Sequence, residues 1–149
     1  MDVLRALLLT LHILGACVWT GGHLVLAVTV LPAALTRRDP RVLRAFEEAF
    51  ERIGIPALVV QVLTGVWLAS QFVPVSRWLA FGSALEARIG TKLLLLGLTI
   101  ALALHARLRV IPRLDNSNLG LLAIHIVIVT ALAVALVVVG VDFRTGALF

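Results

Sequence analysis

Four apolar runs, each about 20 residues or longer, constrain this chain more than any other feature of its sequence. They extend roughly from Val3 to Leu35, Ile55 to Val73, Ile89 to Ile111 and Leu119 to Val141. A helix rises about 1.5 Å per residue, so about 20 residues cross the hydrocarbon core of a bilayer. Lipid offers no partners to backbone N–H and C=O groups, so each run must satisfy its own by becoming a helix. The composition agrees: 61% of the residues are hydrophobic and only 14% are charged, against about half and about a quarter in a soluble domain. The expectation is one all-α transmembrane domain over residues 1–149, an integral membrane up-and-down four-helix bundle. The first run is too long for the apolar stretch of a signal peptide and has no clear A-x-A site after it, so it reads as a retained helix.

The connections refine this picture. Between the first two spans lies TRRDPRVLRAFEEAFERIG, with Asp39-Pro40 as a helix start. Val42, Leu43, Phe46, Ala49, Phe50 and Ile53 recur at helical spacing among Arg and Glu. The segment is expected to be an extension of the second span or a short amphipathic helix on the membrane surface. Trp78 and Phe81, between spans two and three, fit as interface anchors. The loops after spans one and three carry Arg37, Arg38, Arg41, Arg44, Arg52, Arg107, Arg109 and Arg113, and the other side carries Arg5, Arg77, Arg88, Lys92 and Arg144. Eight against five places the odd loops in the cytoplasm of a bacterial-type inner membrane, with both termini outside. The net charge of +5 thus follows from topology signals and does not point to nucleic acid. The single cysteine, Cys17, lies inside span one, which excludes a disulfide framework and suits a small buried hydrophobe.

All four histidines fall within spans. Ionisable groups are costly in a bilayer and usually face the bundle interior or a functional site. His12 and His23 are eleven residues apart, about three turns, so both rings face one way about 16 Å apart along the axis. Depth reckoned from the span ends puts His23, His105 and His125 at one inner level on three helices, with His12 alone in the outer half. Imidazole ligates haem iron, copper or zinc. Gly15, Ala16, Trp19 and Gly22 share the His12 face, where small residues admit a porphyrin or a neighbouring helix. With one Cys and one Met in the chain, a Cu(I) relay built on soft ligands is disfavoured. Lys92 is suited to snorkelling or to binding an anionic group. It lies about 140° around the helix from His105, so the two are not expected to share a site. Gln61 and Thr64 in span two can hydrogen-bond a cofactor or another helix.

LHILGACVWTGGHLVLAVTVLPAAL resembles the first helix of the CopD-like membrane proteins, with an early His before a Trp and a Gly-Gly pair. VLTGVWLA is similar to their second helix, and GTKLLLLGLTIALALHARLRVIPRL to their third. The pattern is shared more loosely by the HemJ type of protoporphyrinogen oxidase. The resemblance implies copper handling or haem-linked redox chemistry, with His12 and Lys92 at the family positions and His23 and His125 additional to them. The leading expectation is a haem b protein of CopD/HemJ type that passes electrons to or from a quinone or small oxidant. Two of His23, His105 and His125 would ligate the iron, His23 with His105 across the bundle diagonal being the natural pair. His12, Lys92, Trp19 and Gly22 complete the candidate cofactor-binding residues. The alternatives are copper binding or transport by His12, His23, His105 and His125, and a structural subunit whose histidines only pack. A homodimer is permitted by the small-residue faces.

Overall fold

The computed structural model describes residues 3–148. Four helices account for nearly all of them: α1 (Val3–Arg37), α2 (Pro40–Ser70), α3 (Ala84–Arg113) and α4 (Leu119–Thr145). Each is long and apolar enough to cross a membrane, so this is an all-α, multi-pass membrane protein. The segment between the first two spans is no separate surface helix. It is the first part of α2, continuous through the internal Pro56.

Local chemistry explains where the helices stop and start. Arg38 adopts a left-handed conformation (φ 49°) that ends α1. Asp39 then caps α2, its Oδ1 accepting from the Arg41 N–H at 3.0 Å, and Pro40 fills the first position, where no N–H is needed. At the start of α3, Ser83 Oγ accepts from the Glu86 N–H and the Glu86 carboxylate accepts from the Gly82 N–H at 2.9 Å, a near-complete capping box. Gly146 in the left-handed region (φ 60°) ends α4.

Two helices share an irregularity. α1 widens to a π turn over Leu26–Val30 and α3 over Ala106–Val110. Each turn lies just before a proline, Pro32 or Pro112. A proline has no N–H and its ring clashes with the carbonyl four residues back. A π turn moves the hydrogen bond one residue further back: Leu31 N–H donates to the Leu26 carbonyl, and Ile111 N–H to that of Ala106.

α1 packs extensively on α2 and also on α4, and α4 packs on α3. The α2–α3 flank has no comparable contact within the membrane, so the ring of four helices is loosely closed on that side. The densest core lies at the end bearing the α1–α2 and α3–α4 connections, called here the basic end. There Leu26, Leu43, Leu122 and Ile126 meet, each at most 3% exposed. A second cluster at mid-depth joins Trp19 to Val129 and Ala133. Large apolar side chains such as Val28, Leu63 and Leu98 point outward, as expected of a surface facing lipid.

Ion pairs fasten both ends. Arg107 of α3 pairs with Glu51 of α2 at the basic end, and Arg44 Nη2 donates to the Leu114 carbonyl. At the terminal end, Arg88 Nε donates to Asp142 Oδ2 at 2.7 Å and ties α3 to α4. The expected interface aromatics are held in place: Trp78 Nε1 donates to the Val73 carbonyl and the Phe81 ring sits against Gly90. Cys17 is exposed on the apolar outer surface rather than buried.

Candidate functional site

The four histidines occupy three places. His105 on α3 and His125 on α4 meet at the basic end of the bundle, with His105 Nδ1 at 2.8 Å from His125 Nε2. The rings are nearly parallel, 17° between planes and 4.9 Å between centroids. His125 is buried and His105 exposed. The partners fix the tautomers. His125 Nδ1 donates to the Leu121 carbonyl at 2.9 Å, so its Nε2 carries a lone pair and accepts from His105 Nδ1–H. The chain of bonds ends at His105 Nε2, a lone pair without a hydrogen-bond partner among the described residues.

His23 does not join this pair. Its Nδ1 donates to the Trp19 carbonyl one turn back at 2.9 Å, and its ring lies 4.4 Å from the Trp19 ring. Phe50 meets it edge-on at 5.6 Å. The expected pairing of His23 with His105 across the bundle diagonal is therefore absent. Equal depth put the two at one level, but side-chain direction turned His23 toward α2 and His105 toward α4. Gly22 has a defined role here: a Cβ at that position would overlap the Phe50 ring. Trp19 is 7% exposed and its Nε1–H has no hydrogen-bond partner among the described residues.

His12 forms the outer level. Its Nδ1 donates to the Gln61 carbonyl at 2.8 Å and lies 3.2 Å from Thr64 Oγ1. Its ring rests on Gly65, where a Cβ would come within 2.8 Å of Cε1. The Thr64 hydroxyl donates to the Val60 carbonyl at 2.6 Å. Lys92 lies close enough to act on His12 electrostatically. Lys92 lies over the Phe143 ring, whereas His105 lies against His125. Gln61 and Thr64 were legible as polar residues of span two, but their engagement with His12 was not. Phe50, the ring over Gly22 and His23, was expected only as one position of the apolar repeat after Pro40, one turn from Phe46, with which it stacks.

Among the described residues, no three of His, Cys, Asp or Glu converge on one point. The arrangement offers imidazoles in a shared orientation. His12, His23 and His125 each donate Nδ1–H to a main-chain carbonyl, which leaves Nε2 as the ligating atom; metal-bound histidines are commonly oriented this way.

A family model described as copper resistance protein D matches residues 40–143. The chain belongs to that family. The match takes in α2, α3 and most of α4, and therefore Gln61, Thr64, Lys92, His105 and His125. His12, Trp19, Gly22 and His23 on α1 lie outside it. No curated protein and no solved structure matches the chain. Membership makes this a copper-resistance-related membrane protein.

Proposed function

We propose that the chain binds copper ions within the membrane, with His105 and His125 as the principal site and His23 as a further imidazole on α1. The observation that carries this reading is the polarity of the histidine pair. The Leu121 carbonyl holds His125 by Nδ1–H, so its Nε2 lone pair faces His105 at 2.8 Å. The proton between the two rings is the one a metal ion would displace, and His105 Nε2 is a second open lone pair. Neutral imidazole suits copper, and metal binding must compete with protons for the same nitrogens. The family's association with copper supports the same cargo. His12 is the least suited of the four, because the Lys92 ammonium acts on it and repels a cation.

A haem b fits this donor set poorly. His105 and His125 hydrogen-bond each other directly, ring on ring, and leave no slot for a macrocycle between them. His23 is boxed in by Trp19 and Phe50 on the α1–α2 side. The Lys and Arg bias supports a cytoplasmic basic end, so the His105–His125 pair would receive or release its ion on that side.

The test is to purify the chain in uncharged detergent, load it with copper, wash it, and measure retained metal together with the visible spectrum. Retention should fall to background in His105→Ala and in His125→Ala, and persist in His12→Ala. Full retention in the His105→Ala/His125→Ala double variant would overturn the reading. So would a reduced Soret band that disappears with His125 while no copper is retained.

A further inference from the structure

At the basic end, the turn that joins α1 to α2 and the turn that joins α3 to α4 border one open cleft of about 450 Å³. Leu35, Arg38, Asn116, Leu119 and Gly120 line it. Two of these side chains bring unused hydrogen-bonding groups. Neither the Arg38 guanidinium nor the Asn116 amide has a hydrogen bond or ion pair among the described residues. The acids next to them in the chain are committed elsewhere. Asp39 holds Arg41 through both carboxylate oxygens, and Asp115 Oδ1 accepts from the Ser117 and Asn118 N–H groups. Neither acid lines the cleft. The lining is therefore cationic on one side and apolar on the other.

Its depth is set by the spans. Leu35 ends the apolar run of α1 and Leu119 begins that of α4, so the cleft stands where hydrocarbon gives way to headgroups. Exposed apolar side chains lead from it into the bilayer. Ile124 and Ile128 stand one and two turns beyond Gly120 on α4, and Val28 stands two turns before Leu35 on α1. These two helices pack on each other.

We propose that this cleft binds the headgroup of an anionic phospholipid from the leaflet at the basic end. The Arg38 guanidinium donates to the phosphate in charge-assisted bonds, and the Asn116 amide donates to a further oxygen. The acyl chains follow the exposed faces of α1 and α4. Arg37, Arg109 and Arg113 at the same end raise the local concentration of anionic lipid. The bound lipid joins the two turns, which contribute Arg38 and Asn116 respectively.

The probes are dioleoyl phosphatidylglycerol, dioleoyl phosphatidylcholine and glycerol phosphate, each titrated into the full chain in uncharged detergent and read by native mass spectrometry. One phosphatidylglycerol should bind per chain, at least about fivefold more tightly than either of the others, because the choline cation opposes Arg38 in one and the acyl chains are missing in the other. Arg38→Gln should weaken it about tenfold. Arg52→Gln removes a basic-end charge that does not line the cleft and should leave the affinity within about twofold of wild type. Gly120→Asp puts a carboxylate into the cleft; a Cβ there meets nothing within 4 Å, and an acid suits the first turn of a helix. That variant should weaken binding at least as much as Arg38→Gln, and Gly120→Asn should not. Phosphatidylcholine binding as tightly as phosphatidylglycerol would overturn recognition of an anionic head. Glycerol phosphate binding as tightly would overturn the lipid as ligand. Equal losses in Arg52→Gln and Arg38→Gln would overturn the site, because net charge alone would then govern binding. Wild-type affinity in Arg38→Gln would overturn it as well; if that variant does not fold, wild-type affinity in Gly120→Asp does the same.

Discussion

Gly15 marks a close approach of the α1 and α2 backbones, and replacing it tests how the histidine level is held. A Cβ there would stand 2.8 Å from the Ala57 carbonyl oxygen and 2.9 Å from Gln61 Cβ. Ordinary contact begins at 3.4 Å, so Gly15→Ala forces the helices apart by 3.4 − 2.8 = 0.6 Å. A gap of about that size forfeits a quarter to a half of the dispersion energy of each contact it opens. Overpacking of this kind costs about 1–3 kcal/mol. Against it stands a gain of about 0.5–1 kcal/mol for replacing a helical glycine by alanine. Gly97 supplies the control. It is exposed on α3, and a Cβ there meets nothing within 4 Å, so Gly97→Ala keeps the gain without the clash. The two variants should differ by about 2 kcal/mol in unfolding free energy. Reversible unfolding in mixed micelles, followed by circular dichroism, measures the difference. The same displacement should loosen the His12–Gln61 bond, visible as a shift in the His12 ring nitrogen resonances. Equal stability of Gly15→Ala and Gly97→Ala would refute the close-packed α1–α2 interface, and with it the placement of His12.

Other outcomes follow from particular contacts. Leu43, with no exposure at the basic end, should cost about 3 kcal/mol when replaced by alanine, read as unfolding free energy. The Arg107–Glu51 pair is half exposed on its arginine side, so a double-mutant cycle with glutamine at both positions should return a coupling of under about 1 kcal/mol that salt removes. Asp115 accepts from the Ser117 hydroxyl and from the Ser117 and Asn118 N–H groups, which hold its carboxyl below the usual carboxylate range. Its contribution to the α3–α4 turn should be present above the ordinary carboxylate pKa and lost as pH falls through the lowered one. Amide exchange at Ser117 and Asn118 should then speed up in acid beyond its intrinsic pH dependence, and an acid-insensitive protection factor would contradict this.

Much of the fold was legible because lipid leaves so few options. A run of about 20 apolar residues must satisfy its own backbone, so span number and span type were fixed locally. Asp39-Pro40 likewise announced a helix start by local chemistry. The choice between an extended α2 and a separate surface helix was not local: it depended on whether the helix is interrupted before or at Pro56, and it is not. The π turns before Pro32 and Pro112 follow a local rule, but how the backbone absorbs a proline is decided by the packing around it.

The histidines show the same division. Their confinement to the spans, their residue type and the shared depth of three of them were properties of the sequence. Which ring faces which was not, because helical periodicity gives relative direction within one helix and says nothing of how neighbouring helices rotate about their axes. The packing of α4 on α3 joined His125 to His105, and that of α1 on α2 sent His23 to Phe50 and His12 to Gln61. Sequence alone determined a four-span membrane protein carrying imidazoles within its spans. Only the tertiary structure decided that two of them form a pair, that one lies among aromatic rings, and that the fourth rests on Gly65 of α2. The physical reason is that burial depth is set by counting along the chain, whereas contact depends on helix rotation, which side-chain packing across the whole bundle sets.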